Sequence, residues 1–378
     1  MPLIFGTNIA ETLTASTHED TLHGHDGDDS LNASGVGYDP FGFMPMELHG
    51  GGGHDTLNGS VNNDYLFGNT GNDLLFGNDG RDTFFMGVEL SDGGARSGND
   101  TAYGGAGRDT FIVGDGFDVV HGGDGDDRIE IDLSAETPGG RFVFNLWRDS
   151  SIAHANGSIS FTSIEGIEVN GSGHLSGVTL LGRPGARDEL TVTSDVDTRM
   201  YGFGGDDILY SWGGNDTLMG GHGDDAMNGR DGNDYMDGGD GTDLMFGGSG
   251  DDLLVGGDGT DILYGGDGRD VMYGGDRNAA DGDADTFRFF SGNLGTGADR
   301  DVIRDFETGI DRVDLSGYTG TFTFIGATHF SGAGMEVQAR ELGSGNTLIR
   351  IDTDGDRIPD GELLLCCAQG VSADDFIL

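Results

Sequence analysis

"DGGDGTDLMFGGSGDDLLVGGDGTDILYGGDGRDVM", residues 237–272, is four blocks of nine residues. Each block has Asp at its seventh place (Asp243, Asp252, Asp261, Asp270) and an apolar residue at its ninth (Met245, Leu254, Leu263, Met272). The beat runs back to Tyr201 without a slip, through Asp207, Asp216, Asp225 and Asp234, with Leu209, Leu218, Met227 and Met236 at the ninth place. A second array spans 49–129, with Asp55, Asp64, Asp73 and Asp82, then Asp100, Asp109, Asp118 and Asp127. Its block 85–93, "FMGVELSDG", keeps the length and loses the motif. A frayed third array at 5–31 carries Glu11, Asp20 and Asp29 at the key place.

A nonapeptide of this kind divides into a six-residue turn, GGxGxD, and a three-residue strand whose central residue faces a core. Glycine allows the positive φ and close backbone approach that such a turn demands. One apolar residue per block cannot make a core alone, so blocks must stack. Two turns and two strands give a coil of 18 residues and two parallel sheets back to back, which predicts an all-β solenoid, a parallel β-roll. Stacked coils would bring carboxylates together at roughly the 4.8 Å spacing of neighbouring strands. A hard dication with oxygen ligands resolves that repulsion; calcium accepts mixed carboxylate and carbonyl ligands, and magnesium demands stricter octahedral geometry. A flexible glycine linker would not hold an apolar residue at every ninth place.

The composition agrees. Of 378 residues 75 are Gly, and 67 acidic against 19 basic residues give a formal charge of −48. Such a chain repels nucleic acid and anionic lipid, and it opposes its own compaction until cations neutralise it. Every basic residue is Arg; with no Lys, lysine-based phosphate binding, Schiff-base chemistry and the lysine acylation of pore-forming toxins are excluded. No stretch reaches the ~18–20 apolar residues of a membrane helix. The start, "MPLIFGTNIAETLTAS", has no basic region or long apolar run and does not read as a Sec-type signal. The adjacent Cys366 and Cys367 read as two free thiols, since a vicinal disulfide is strained.

The blocks resemble the RTX, or haemolysin-type, calcium-binding nonapeptide GGxGxDxUx. The C-terminal stretches "DADTFRFF", "DRDVIRDFETGIDRVDLSG", "LIRIDTDGDRIPDGELLL" and "VSADDFIL" resemble the serralysin-type C-terminal domain of M10 metalloproteases. The resemblance implies calcium in the turns, type I export directed by an uncleaved C-terminal signal, and folding in calcium-rich extracellular surroundings. In the best-matching stretch the implied calcium residues are Gly238, Gly239, Gly241 and Asp243; Gly247, Gly248, Gly250 and Asp252; Gly256, Gly257, Gly259 and Asp261; Gly265, Gly266, Gly268 and Asp270. The Asp residues of the other arrays, Asp20 and Asp29 included, are the remaining candidates. The run "DTDGDRIPDGE" also resembles an EF-hand loop through Asp352, Asp354, Asp356 and Asp360, but it has Arg357 where Gly is required and Leu363 where the bidentate Glu belongs. A β-hairpin turn is the competing account.

The resulting organisation is frayed repeats and an aromatic loop (1–48), a first roll (49–129), an irregular β bridge (130–200), a second roll (201–282) and a β-rich cap (283–378). No HExxH zinc motif is present, since "HEDTLH" spaces its histidines wrongly, and no GxSxG elbow occurs. His18, His23, His25, His49 and His54 read as variable turn positions rather than a metal site. The leading expectation is therefore a structural or interaction role rather than an enzyme. The runner-up is a polysaccharide-active enzyme with its site on 130–200, for which Arg141, Arg148, His154 and His174 would be tested. Outward apolar residues, among them Tyr210, Leu244, Phe246, Val255 and Tyr264, suggest a contact face for a protein or polysaccharide partner.

Overall fold

The computed structural model describes residues 3–17, 20–37, 45–86, 98–114, 117–132, 141–146, 151–154, 157–170, 177–276 and 282–378; for 132, 141–145, 151–154 and 157–162 only the backbone path is described. The chain divides into two units, Met1–Leu175 and Ser176–Leu378. Each is built of β-strands that alternate between two sheets, as the nine-residue beat predicts.

In the first unit one sheet takes Leu3–Phe5, Thr21–Asp26, Met46–Gly52, Asp64–Thr70, Thr83–Met86, Thr110–Val113, Arg128–Asp132 and Gly166–Asn170, all parallel. The other takes Thr12–Thr14, Ser30–Asn32, Thr56–Asn58, Leu74–Asp79, Thr101–Ala106, Phe117–Asp124 and Gly157–Thr162, with Ser151–His154 added antiparallel. The registers stack the ninth-place residues directly. Leu22, Leu48, Leu66, Phe84, Phe111, Ile129 and Ile167 form one buried column.

The second unit repeats the plan. Leu190, Leu209, Met227, Met245, Leu263, Phe287, Val313 and Phe376 make one column. Leu180, Met200, Leu218, Met236, Leu254, Met272, Ile303 and Leu365 make the other. All of these side chains are buried. Each burial is worth about 1.5–3 kcal/mol, so the columns are the main favourable term in holding coil on coil. The last coils then pass into an antiparallel meander, Glu336–Glu341, Thr347–Asp352 and Gly361–Leu365.

The structure refines the expected division in two ways. Strands such as Leu244–Ser249 and Ile262–Asp267 have six residues rather than three, because the ladder runs on through the glycine pair, with Gly248 opposite Gly266. Within 130–200, Gly166–Asn170 continues the coils of the first unit, and Gly177–Leu181 and Glu189–Val192 open the two sheets of the second. Both cysteines are free thiols, Cys366 buried and Cys367 exposed.

Candidate metal centre

Each repeat Asp is buried and divides its carboxylate between two tasks. Oδ1 accepts the backbone N–H of the Asp one coil earlier. In the second unit this rail runs Asp188 to Asp207, Asp225, Asp243 and Asp261 at 2.7–2.8 Å, then to Asp285 and Asp311. A parallel rail runs Thr198 to Asp216, Asp234, Asp252, Asp270 and Asp301. In the first unit the rails are Glu11, Asp29, Asp55, Asp73, Asp100, Asp118 and Asp64, Asp82, Asp109, Asp127, Glu165.

The other oxygen faces the turn. Oδ2 of Asp29, Asp55, Asp73, Asp82, Asp100, Asp109 and Asp127, and of Asp207, Asp225, Asp234, Asp243, Asp252, Asp270 and Asp301, is buried with no hydrogen-bond donor. A buried anionic oxygen left this way is costly unless a cation reaches it. The first glycine of each turn shows where. A Cβ on Gly238 would collide with Asp243 Oδ2 and with the carbonyl oxygen of Gly256 in the next coil; Gly220, Gly247 and Gly256 sit in the same cradle. Only glycine lets these two oxygens converge. The second and third glycines serve the stacking instead: Gly239 has φ +108 and Gly241 φ +145, and a Cβ on either would strike a carbonyl of the preceding coil. Carboxylate and carbonyl oxygens, with no sulfur or imidazole, are the donor set of a hard divalent cation.

Burial also raises these carboxyls. Asp243 and Asp270 rise to about 6, Asp225 to about 7, Asp73 and Asp252 to about 8 and Asp82 to about 9, with loss of solvent the first cause. For Asp82 the neighbouring Asp64 and Asp109 push the same way. Loss of water and neighbouring like charges both disfavour the ionised form.

Two candidates stand apart. Asp20 is taken up by Ser16 and Thr17 through backbone and hydroxyl donors, which hold it below the usual carboxylate range. Asp64 accepts both the N–H and the hydroxyl of Ser60. Conversely Asp188, Asp285, Asp301 and Asp311 sit on the rails although the repeat count had passed over them. Each starts the pattern Asp, any residue, apolar residue (Leu190, Phe287, Ile303, Val313), so the signal was present and only its spacing was broken by insertions.

Sequence also gave no hint of a second, exposed rail. In many turns the residue before the Asp donates its N–H back to the Asx side chain one coil earlier: Asn233 to Asn215, Asp251 to Asn233, Arg269 to Asp251. It runs opposite to the buried rail.

In the loop after Thr347–Asp352, Asp352, Asp354 and Asp356 bring carboxylate oxygens within 4.8 Å of one another. Asp352, however, accepts the N–H groups of Gly355 and Arg357, and Asp360 turns away to Thr353. The loop joins two antiparallel strands, so it is a hairpin turn. His23 stacks between Phe5 and His49, which continues onto Phe67 and Phe85 at 4.3 Å between centroids, and His54 accepts the N–H of Asn72. Among the described residues these histidines do not gather around one point. His18, Arg148 and His174 lie outside the described residues, as do the side chains of Arg141 and His154.

The outward apolar residues form rows as well. Phe246 stacks on Tyr264 at 4.4 Å and Tyr264 on Phe290 at 5.6 Å, with Arg288 over the Tyr264 ring. Tyr210, Leu244, Phe246 and Tyr264 are half-buried, and the expected outward Val255 is buried.

The comparisons agree with this geometry. The model for the RTX calcium-binding nonapeptide repeat matches four times, at 5–35, 49–84, 95–129 and 199–218. The chain therefore carries RTX nonapeptide repeats, and these repeats bind calcium ions. The model for the peptidase M10 serralysin C terminal matches 213–378, taking in most of the second array as well as the cap, so the chain also carries a serralysin-type C-terminal domain. No curated protein matches. Among solved structures, the AlgE6R3 subunit of the Azotobacter vinelandii mannuronan C5-epimerase is 28% identical, over 38% of this chain and 77% of that one, at a TM-score of 0.29. The extracellular lipase LipA from Serratia marcescens is 14% identical, over 93% of this chain and 45% of its own, at 0.21. Scores this low carry nothing over to this chain. Among the described residues no helix is long and apolar enough to cross a membrane.

Proposed function

We propose that this is a secreted protein whose coils lock when calcium enters the turns, and whose folded roll serves a structural or interaction role outside the cell. The observation that carries the reading is the convergence of a donor-less Asp Oδ2 with a glycine carbonyl of the next coil, repeated along both rails. The proposed ligands are those Asp oxygens and the carbonyls of the turn glycines; Asp20 and Asp64 are left out because their own turns satisfy them. The arrays at 49–129 and 201–282 hold most of the ions, and 283–378 carries the type I export signal in this reading. Inside the cell, where free calcium is scarce, unpaired carboxylates keep the chain loose; outside, binding free energy becomes folding free energy. In this reading the buried acids of the rails hold ions rather than carry out acid–base chemistry.

Far-UV circular dichroism during a calcium titration, with magnesium as control, tests the reading. A cooperative gain of β signal with calcium alone supports it. A chain fully folded in chelator would overturn it.

A further inference from the structure

One turn is built like the others but is already filled. In Gly182–Asp188, "GRPGARD", a Cβ on Gly182 would lie 2.6 Å from Asp188 Oδ2 and 2.9 Å from the carbonyl of Gly202, the same oxygen-lined cradle as at Gly202 and Gly220. Asp188 is buried and stands on the inner rail, its N–H donating to Asp207 Oδ1 at 2.7 Å. Yet its carboxylate is fully engaged. The Arg183 N–H donates to Oδ2, the Arg183 Nε donates to Oδ1 at 2.6 Å, and Nη2 of the same guanidinium reaches the carbonyl of Arg187 at 2.7 Å. Elsewhere Oδ2 and the glycine carbonyl of the next coil face one cradle with no donor to Oδ2; here the Arg183 N–H fills Oδ2 and the guanidinium ties Oδ1 to the Arg187 carbonyl of the same turn. On the same rail, Oδ2 of Asp207, Asp225 and Asp243 has no such donor.

We infer that Arg183 is a tethered cation that takes the place of calcium in this turn, so that the first Asp turn of the second unit closes without an ion. The turn has one residue more than the six of GGxGxD, and the extra length accommodates the "RP" step that aims Arg183 inward. Arginine suits the place because its charge is permanent and its fork satisfies carboxylate and carbonyl together. The second unit would then begin on a coil that is neutral before any calcium arrives, so that the low-numbered end of its rail is closed without an ion. This rests on the calcium reading above.

The test counts ions by native mass spectrometry in calcium. Asp188→Asn should leave the count of the wild-type chain unchanged, whereas Asp207→Asn should lower it, and Arg183→Met should raise it by one. Loss of an ion in Asp188→Asn, or no gain in a folded Arg183→Met, overturns the inference. If neither the wild-type chain nor Asp207→Asn shows bound calcium to lose, it is the calcium reading that fails instead. Should the variants not fold, hydrogen exchange of the wild-type chain in chelator decides. The Arg183 amide should exchange at least ten-fold more slowly than that of Phe203, its counterpart one coil on. Equal rates would overturn the proposal.

Discussion

The backbone N–H of Asp225 donates to Oδ1 of Asp243 at 2.8 Å, while Oδ2 of the same Asp243 turns back against Gly238 of its own turn. One carboxylate thus joins two coils and offers a ligand in a single rotamer. Substitutions can separate the two tasks. Asp243→Asn keeps an oxygen for the Asp225 N–H and removes the charge. It should lower calcium affinity at the adjoining turns by ten-fold or more with the coil register intact. Asp243→Ala should also lose the hydrogen bond and a further ~1 kcal/mol or more of stability. Calorimetric titration and thermal unfolding of both variants check this; equal affinity in Asp243→Asn would remove Oδ2 from the ligand set.

The carboxyl shifts fix the sign of the pH response. Asp73 and Asp252 rise from 3.8 to about 8, and Asp243 to about 6. In chelator these groups cost the roll nothing below the unfolded value, and the cost grows as pH climbs from about 4 through 6 to 8. The calcium-free roll should therefore be most stable in mild acid and melt as pH rises to 8. With calcium present the order reverses, since protons compete for the same oxygens below about pH 6. Circular dichroism from pH 4 to 8, with and without chelator, should give opposite slopes, and proton release should accompany calcium binding near pH 7.

The glycines divide by task. Gly238→Ala places a methyl between Asp243 Oδ2 and the Gly256 carbonyl and should abolish binding at that turn. Gly239→Ala meets a φ of +108 and the carbonyl of Gly221, so it should destabilise the coil itself by about 1–3 kcal/mol. Midpoints measured at saturating calcium separate the two: only Gly239→Ala should stay low there through lost stacking alone.

Core and rim should differ in scale. Met245→Ala opens a cavity in a fully buried column and should cost about 2–5 kcal/mol. Asn233→Ala breaks one link of the exposed rail and should cost only ~0.5–1 kcal/mol, with calcium affinity unchanged. Chemical denaturation in saturating calcium would show the gap.

Sequence made the roll legible because Asp and Leu or Met recur at a fixed interval, and the columns through Met245 and Met236 follow directly. It missed Asp285, Asp301 and Asp311 because insertions after Gly274 break the interval, although the local pattern of Asp and apolar residue survives. The three-residue strand was an underestimate: periodicity marks which side chains are buried, but backbone pairing through Gly248 and Gly266 leaves no mark in side-chain chemistry. Nor does periodicity distinguish an Asp that waits for a cation from Asp20, Asp64 or Asp188, whose donors come from Ser16, Ser60 and Arg183 within the turn.

The buried rail also makes the two ends of a half-built roll unlike each other. At its low-numbered end each Asp carboxylate stands ordered and in water, able to gather a cation before the next coil covers it with an N–H. At its high-numbered end the carboxylate arrives on loose chain and must shed its water as it docks. Extension toward lower residue numbers is thus the gentler path, and a chain that emerges into calcium with its C-terminus leading would crystallise along it, coil by coil, like a seeded lattice with one fast face.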